Sequence, residues 1–233
     1  MCIRDSIVTT VLTFPTIIGA LFSYETSWYF IRIWLHFNLY TLRVICGLTQ
    51  KTIGLENIPK APFIVFSKHQ STWETIFLPS VLPNPIFVAK RELALIPGFG
   101  WCLYIADTIL IRRGAGRSAI RQIEVQAKER FARGRCLVIF PEGTRRPPGA
   151  EPLYKIGCAV VATKTEVPVI PVAHNAGEFW PRHSFLKWPG EITVVFGSPV
   201  ESQRKTPEEL QEECVAWVEA RQAEIHVPNR FPY

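Results

Sequence analysis

One histidine and one carboxylate, His69 and Glu74, stand five residues apart in the stretch FSKHQSTWETIF (Phe66–Phe77), where an apolar run ends. A neutral imidazole is suited to taking a proton near pH 7. A carboxylate bonded to its other ring nitrogen fixes the tautomer and stabilises the imidazolium that forms. In one continuous helix, residues five apart differ by about 140° in direction, so these side chains meet only if the chain turns between them. The sequence supplies a turn. Phe63–Ser67 is strand-like, and Ser71 with Glu74 fits a capping box, which puts His69 just before a helix and Glu74 in its first turn. The same spacing also has a plain structural explanation, with Glu74 bonding its own helix N-terminus and His69 a mere loop residue. Spacing alone leaves both open.

The elements that must position this pair follow an α/β pattern from Gly54 onward. Short β-branched or apolar runs, FIVFS from Phe63, IFVA from Ile86, TILI from Thr108, CLVIF from Cys136, VPVIPVA from Val167 and ITVVF from Ile192, alternate with segments that can be helical. Such alternation implies a mixed, largely parallel sheet flanked by helices. In GRSAIRQIEVQAKERFARG the residues Ile120, Ile123, Ala127 and Phe131 form an apolar stripe, with Gly134 as the stop. Near the C-terminus, Thr206 caps a helix with Pro207 at its first position and Glu209 completing a capping box.

The first fifty residues differ. Ile7–Ser23 carries no charge, but it is short of the roughly 20 residues a spanning helix needs, and Pro15 interrupts it. Trp28–Leu48 is apolar and aromatic-rich, with Arg32, His36 and Arg43 spaced to share one helical face, as in a helix lying in a membrane interface or, more plainly, a core helix with an exposed basic stripe. The expected organisation is an N-terminal apolar helical membrane-attachment segment over residues 1–50 and a catalytic domain over 51–233. The opening MCIRDS reads as translated sequencing adapter, so the natural N-terminus is expected to differ.

Composition limits the alternatives. The 233 residues, 48% hydrophobic, suffice for one large core, and the formal charge of +6 points to anionic partners. The six cysteines form no CxxC pair and read as reduced core residues, without disulfide or zinc site. No nucleotide-binding GxxxxGK[ST] loop and no HExxH metal motif occurs. Aromatic residues cluster in the N-terminal apolar segment rather than among the cations, which disfavours nucleic acid.

The stretch ENIPKAPFIVFSKHQSTWET resembles the HxxxxD box of the glycerolipid acyltransferase family, as in its bacterial lysophosphatidate acyltransferases with Glu in place of Asp. The resemblance continues in order through AKRELALIPGFGW (Ala89–Trp101), ILIRRGAGRS (Ile109–Ser118), FPEGTRR (Phe140–Arg146) and VPVIPVAHNAG (Val167–Gly177). It implies that His69 is the general base, Glu74 its orienting acid, and the acceptor's own hydroxyl the nucleophile. Lys90, Arg113 and Arg145 would then lie at the carboxyl ends of the strands, Lys90 and Arg145 holding the acceptor's phosphate. Glu142, Gly143 and Thr144 would shape the loop, Glu142 orienting Arg145. Arg112, Arg117 and Arg121 read as a solvated basic face, and His174 as a structural histidine.

The function so implied is transfer of a fatty acyl chain from acyl-CoA or acyl carrier protein to the sn-2 hydroxyl of 1-acyl-sn-glycerol 3-phosphate. The product is phosphatidate, made without a cofactor or metal at the cytoplasmic face of the bacterial inner membrane. Two alternatives remain at this stage: acylation of another lyso-lipid, such as lyso-ornithine lipid, and a catalytically silent lipid-binding protein.

Overall fold

A computed structural model describes residues 15–20, 22–96, 98–112 and 116–227; most of Ile7–Ser23 and the opening MCIRDS lie outside them. The elements are α1 (Tyr24–Cys46), β1 (Leu48–Ile53), β2 (Ile64–Ser67), α2 (Trp73–Val81), β3 (Pro85–Lys90), α3 (Phe99–Ile105), β4 (Ile109–Ile111), α4 (Arg117–Phe131), β5 (Cys136–Ile139), α5 (Gly157–Thr165), β6 (Val169–His174), α6 (Ala176–Phe179), β7 (Gly190–Phe196) and α7 (Pro207–Ile225). The strands form one sheet in the order β1-β7-β6-β2-β5-β3-β4, parallel throughout except where β7 runs antiparallel to β6.

The central strands are apolar on both faces because helices cover both. Phe63, Val65, Cys136, Val138, Ile170 and Val172 point to one side, into a cluster shared with α1 and α2. Their alternates, among them Ile64, Phe66, Leu137, Ile139 and Val169, point to the other side, onto α4, α5 and α7. The stripe read in α4 holds: Ile123, Ala127 and Phe131 are buried and Ile120 packs partly against the same cluster. In α7 the capping box is present, and Leu210, Cys214 and Val218, four apart, face the core. The five described cysteines are free.

This layering creates the crevice. The chain leaves β2 for α2 on one face, and leaves the adjacent β5 for α5 on the opposite face. Where neighbouring parallel strands send their connections to opposite sides, a gap opens at their carboxyl ends, the usual ligand position in open α/β sheets. His69 stands two residues past the end of β2, and Phe140–Arg146 directly follows β5.

The sheet starts earlier than Gly54. Gly47, at φ 65°, ends α1 in a left-handed turn with its N–H on Arg43 and Leu42 carbonyls, and Leu48–Ile53 then pairs in parallel with β7. The strand LTQKTI is polar because it is the sheet edge, with only Leu48 buried. The boundary expected at residue 50 therefore falls within β1. Nor does α1 stand apart from the core: Trp28, Leu35, Leu39 and Leu42 are buried in the cluster that holds Phe63 and Trp73, while Arg32, His36 and Arg43 are exposed on its other side. Among the described residues, no helix is long and apolar enough to cross a membrane. Leu35→Ala is expected to destabilise the protein by about 2–5 kcal/mol, the cost of emptying a packed leucine site. Ile33→Ala, on the exposed face, should cost no more than about 0.5 kcal/mol. Urea denaturation of both variants checks this, and equal midpoints would detach α1 from the core.

Candidate active site

The turn between β2 and α2 does what the spacing required. His69 Nδ1 lies 2.9 Å from Glu74 Oε1, so glutamate reaches the ring. The same carboxylate also accepts the N–H groups of Gln70, at 3.0 Å, and Ser71, at 2.9 Å, so Glu74 bonds the imidazole and the start of its own helix at once. The helix start differs slightly from the expected capping box. Thr72 is the N-cap, and Ser71 Oγ accepts from Trp73 N at 3.2 Å.

Charge on Glu74 is opposed by complete burial. The nearby His174 and His69 rings, the hydrogen bond from His69 and the Ser71 N–H outweigh that cost and hold its carboxyl below the usual carboxylate range. An ionised Glu74 can only accept. His69 Nδ1 must then be the donor, which leaves Nε2 with its lone pair, and no hydrogen bond to Nε2 is found among the described residues. The ring is further fixed by stacking on Phe140, centroids 4.2 Å apart and planes 18° from parallel. The arrangement can accept a proton at Nε2 and stabilise the resulting cation.

The FPEGTRR loop clasps the backbone of His69. Glu142 Oε2 accepts the His69 N–H at 2.7 Å, and Arg146 N–H donates to the His69 carbonyl at 2.8 Å. Gly143 turns at φ 70°, in the left-handed region that favours glycine. Thr144 is exposed. Glu142 does not orient Arg145, contrary to expectation. Its Oε1 lies 3.0 Å from the buried Lys68 ammonium, because Lys68, one residue before His69, points into the same closed space. Arg145 is held instead by Thr72, whose Oγ1 accepts from Nη1 at 2.6 Å, and its carbonyl accepts from Arg182 at 2.6 Å.

Lys68 and Arg182 were not singled out in the sequence. Lys68 lies 3.0 Å from Glu219 Oε1 on α7 and 3.1 Å from the Tyr154 hydroxyl, which itself donates to Glu219. The available signal was a lysine directly after a four-residue apolar strand, where burial demands a counter-ion. Desolvation nonetheless pushes the Glu142 carboxyl above its usual range, with Lys68 and the His69 N–H only partly offsetting it.

His174 is structural, as expected. Its Nε2 donates to the Lys68 carbonyl at 3.0 Å and its Nδ1 accepts from Ala176 N at 3.3 Å, while burial pushes its pKa down and keeps it neutral. Lys90 is exposed at the end of β3 and makes no hydrogen bond or ion pair with His69, Glu74 or Arg145. Arg113 lies outside the described residues. Arg112, Arg117 and Arg121 are exposed, as a solvated basic face should be. Among the described residues, no group of His, Cys, Asp or Glu converges as metal ligands.

A sheet of this topology, with a histidine–carboxylate pair and basic loops at the carboxyl ends of adjacent strands, defines a class that the sequence comparisons identify directly. Residues 50–175 match the family model described as Acyltransferase, and the chain belongs to that acyltransferase family. Over 195 residues it is 40% identical to the 1-acyl-sn-glycerol-3-phosphate acyltransferase of Pseudomonas aeruginosa, covering 82% of this chain and 76% of that protein. The human 1-acyl-sn-glycerol-3-phosphate acyltransferase alpha is 26% identical over 179 residues, 76% of this chain and 63% of that one. The yeast enzyme of the same name (Saccharomyces cerevisiae) is 29% identical over 136 residues, and only 45% of its length is covered. Among solved structures, the crystal structure of the 1-acyl-sn-glycerophosphate acyltransferase PlsC from Thermotoga maritima superposes with a TM-score of 0.76, at 25% identity over 99% of both chains.

Proposed function

We propose that this chain transfers a fatty acyl group from an acyl thioester to the sn-2 hydroxyl of 1-acyl-sn-glycerol 3-phosphate, forming phosphatidate for phospholipid biosynthesis. The observation that carries the reading is His69, held by Glu74 with Nε2 free and clasped by the same loop that carries Arg145. His69 Nε2 takes the hydroxyl proton as the acceptor oxygen attacks the thioester carbonyl. Glu74 stabilises the imidazolium. When the tetrahedral intermediate collapses, the carbon–sulfur bond breaks and the imidazolium returns its proton to the departing thiolate. Arg145 binds the acceptor phosphate through its planar fork, with Lys90 and Arg113 carried over from the family resemblance as further cations for it and Gly143 and Thr144 shaping the turn. No cofactor enters these steps, and the donor is acyl-CoA or acyl carrier protein.

The enzyme works at a membrane surface, the cytoplasmic face of the bacterial inner membrane, where its acceptor resides. The attachment face is the outer side of α1, on which Tyr29, Ile33, Tyr40 and Val44 are exposed beside Arg32, His36 and Arg43. Purified protein given lysophosphatidate and either thioester should yield phosphatidate. Acylation of lyso-ornithine lipid, with lysophosphatidate untouched, would overturn the substrate assignment.

Arg145→Lys tests the phosphate anchor. Lysine cannot reproduce the two-pronged grip, so the apparent KM for lysophosphatidate should rise about tenfold, with a smaller fall in kcat because a loosely tethered acceptor aligns its hydroxyl less often. An acceptor without phosphate should be nearly indifferent to the change. Equal losses on both acceptors would give Arg145 a purely structural role through Thr72.

A further inference from the structure

Phe185 and Leu186 project from the loop between α6 and β7, 78% and 63% exposed, although nothing in the loop's backbone requires apolar residues there. The loop is well fixed. Trp180 Nε1 donates to the Ser184 carbonyl at 3.3 Å, Ser184 Oγ bonds the Leu186 carbonyl and N–H at 3.2 and 3.0 Å, and the Lys187 ammonium sits 4.3 Å above the Trp180 ring. These contacts stand on either side of the apolar tip and leave its two side chains outward. From Pro181 to Pro189 the loop carries Arg182, His183 and Lys187 and no acidic residue.

The loop is also continuous with the outer side of α1. Gly190 N donates to the Gly47 carbonyl at 3.0 Å, and Phe185 and Leu186 line one open groove with Ile45 and Cys46 at the end of that helix. Its other end reaches the active site, since Arg182 holds the Arg145 carbonyl at 2.6 Å.

We propose that the loop from Pro181 to Pro189 is a second membrane-docking element, whose Phe185–Leu186 tip inserts into the apolar layer of an anionic bilayer while its cations meet phosphate headgroups. The proposal rests on the membrane-surface reading given above and extends it to a named wedge. Two apolar side chains exposed together cost free energy in water that insertion recovers, and the surrounding positive charge matches an anionic lipid surface. Through Arg182, docking sets the Arg145 loop at headgroup depth, where a lyso-lipid presents its phosphate.

The test uses the full chain carrying Phe185→Ser and Leu186→Ser together. Both side chains are exposed, so the thermal midpoint should not move. Flotation with vesicles of phosphatidylglycerol and phosphatidylethanolamine should weaken at least about tenfold. Acylation of long-chain lysophosphatidate in those vesicles should fall in parallel, while a short-chain lysophosphatidate, dissolved as monomer, is turned over as by the unaltered enzyme. Unchanged flotation overturns the proposal. So does an equal loss on the monomeric acceptor, which would make the loop part of the site, or a loss seen only with acyl carrier protein as donor, which would make it a docking surface for that acidic protein. Flotation is read without catalysis: its loss in a protein that acylates no lysophosphatidate would uphold the wedge and refute the substrate assignment.

Discussion

His69→Ala should lower kcat by about two to four decades, the scale of a lost general base, with the KM for the acceptor nearly unchanged. The split follows from where the ring stands. Its Nδ1 is committed to Glu74 and its face to Phe140, so only Nε2 is left to meet substrate, and in the proposed mechanism that nitrogen meets the reacting hydroxyl rather than the phosphate. Removing the ring leaves Glu74 with the Gln70 and Ser71 N–H groups, so the turn itself persists and the variant remains folded. Steady-state kinetics with lysophosphatidate and acyl-CoA measure both constants. A turnover within a few-fold of the unaltered enzyme would remove His69 as the base.

Lys68→Met should cost about 3–5 kcal/mol of stability at neutral pH, because it strips the counter-ion from a buried carboxylate. Glu142 is 1% exposed at its side chain and would keep only the His69 N–H as partner. The sign with pH can be worked out. Burial already raises the folded-state pKa of Glu142 above its usual 4.5, and losing Lys68 raises it further. The penalty is therefore small where the carboxyl is protonated in the fold, and it grows as pH rises through the folded-state value. Urea titrations at pH 5 and pH 8 should show the larger loss at pH 8, and adding Glu142→Gln should recover most of it. A loss equal at both pH values would mean that Lys68 stabilises through its packing on Tyr154 and not through charge.

The parts of the fold visible in the sequence were those whose physics is local. Strands β2 to β7 each announced themselves as a run of β-branched or apolar residues, because helices bury both faces of the sheet. β1 did not, since an edge strand with one partner needs few apolar side chains, and Thr49, Gln50, Lys51 and Thr52 look like a linker until β7 is beside them. The approach of His69 and Glu74 was legible because five residues of separation plus a turn signal confine them to one corner. What the Glu142 carboxylate touches was not legible. That depends on which residues around β2 share a closed space with the β5 loop, and the sequence alone gave Arg145 as the nearest cation when the folded chain supplies Lys68. Arg182 was hidden for the same reason, being 37 residues from the carbonyl it holds.

The pairing of β1 with β7 bears on how the protein is made. Thr49 and Gly190, which meet across these strands, are separated by 141 positions in the chain. At a synthesis rate of roughly 5–20 residues per second, the ribosome needs on the order of ten seconds to produce the partner strand after α1 has emerged. Through that interval the buried side of α1 has neither β2 completed against its neighbours nor β7 to anchor the edge, and the helix leaves the exit tunnel with Trp28, Leu35, Leu39 and Leu42 uncovered. A nascent helix apolar on one side and apolar-basic on the other favours the nearest bilayer over water, so translation itself would deliver the unfinished chain to the membrane surface proposed above for the finished enzyme.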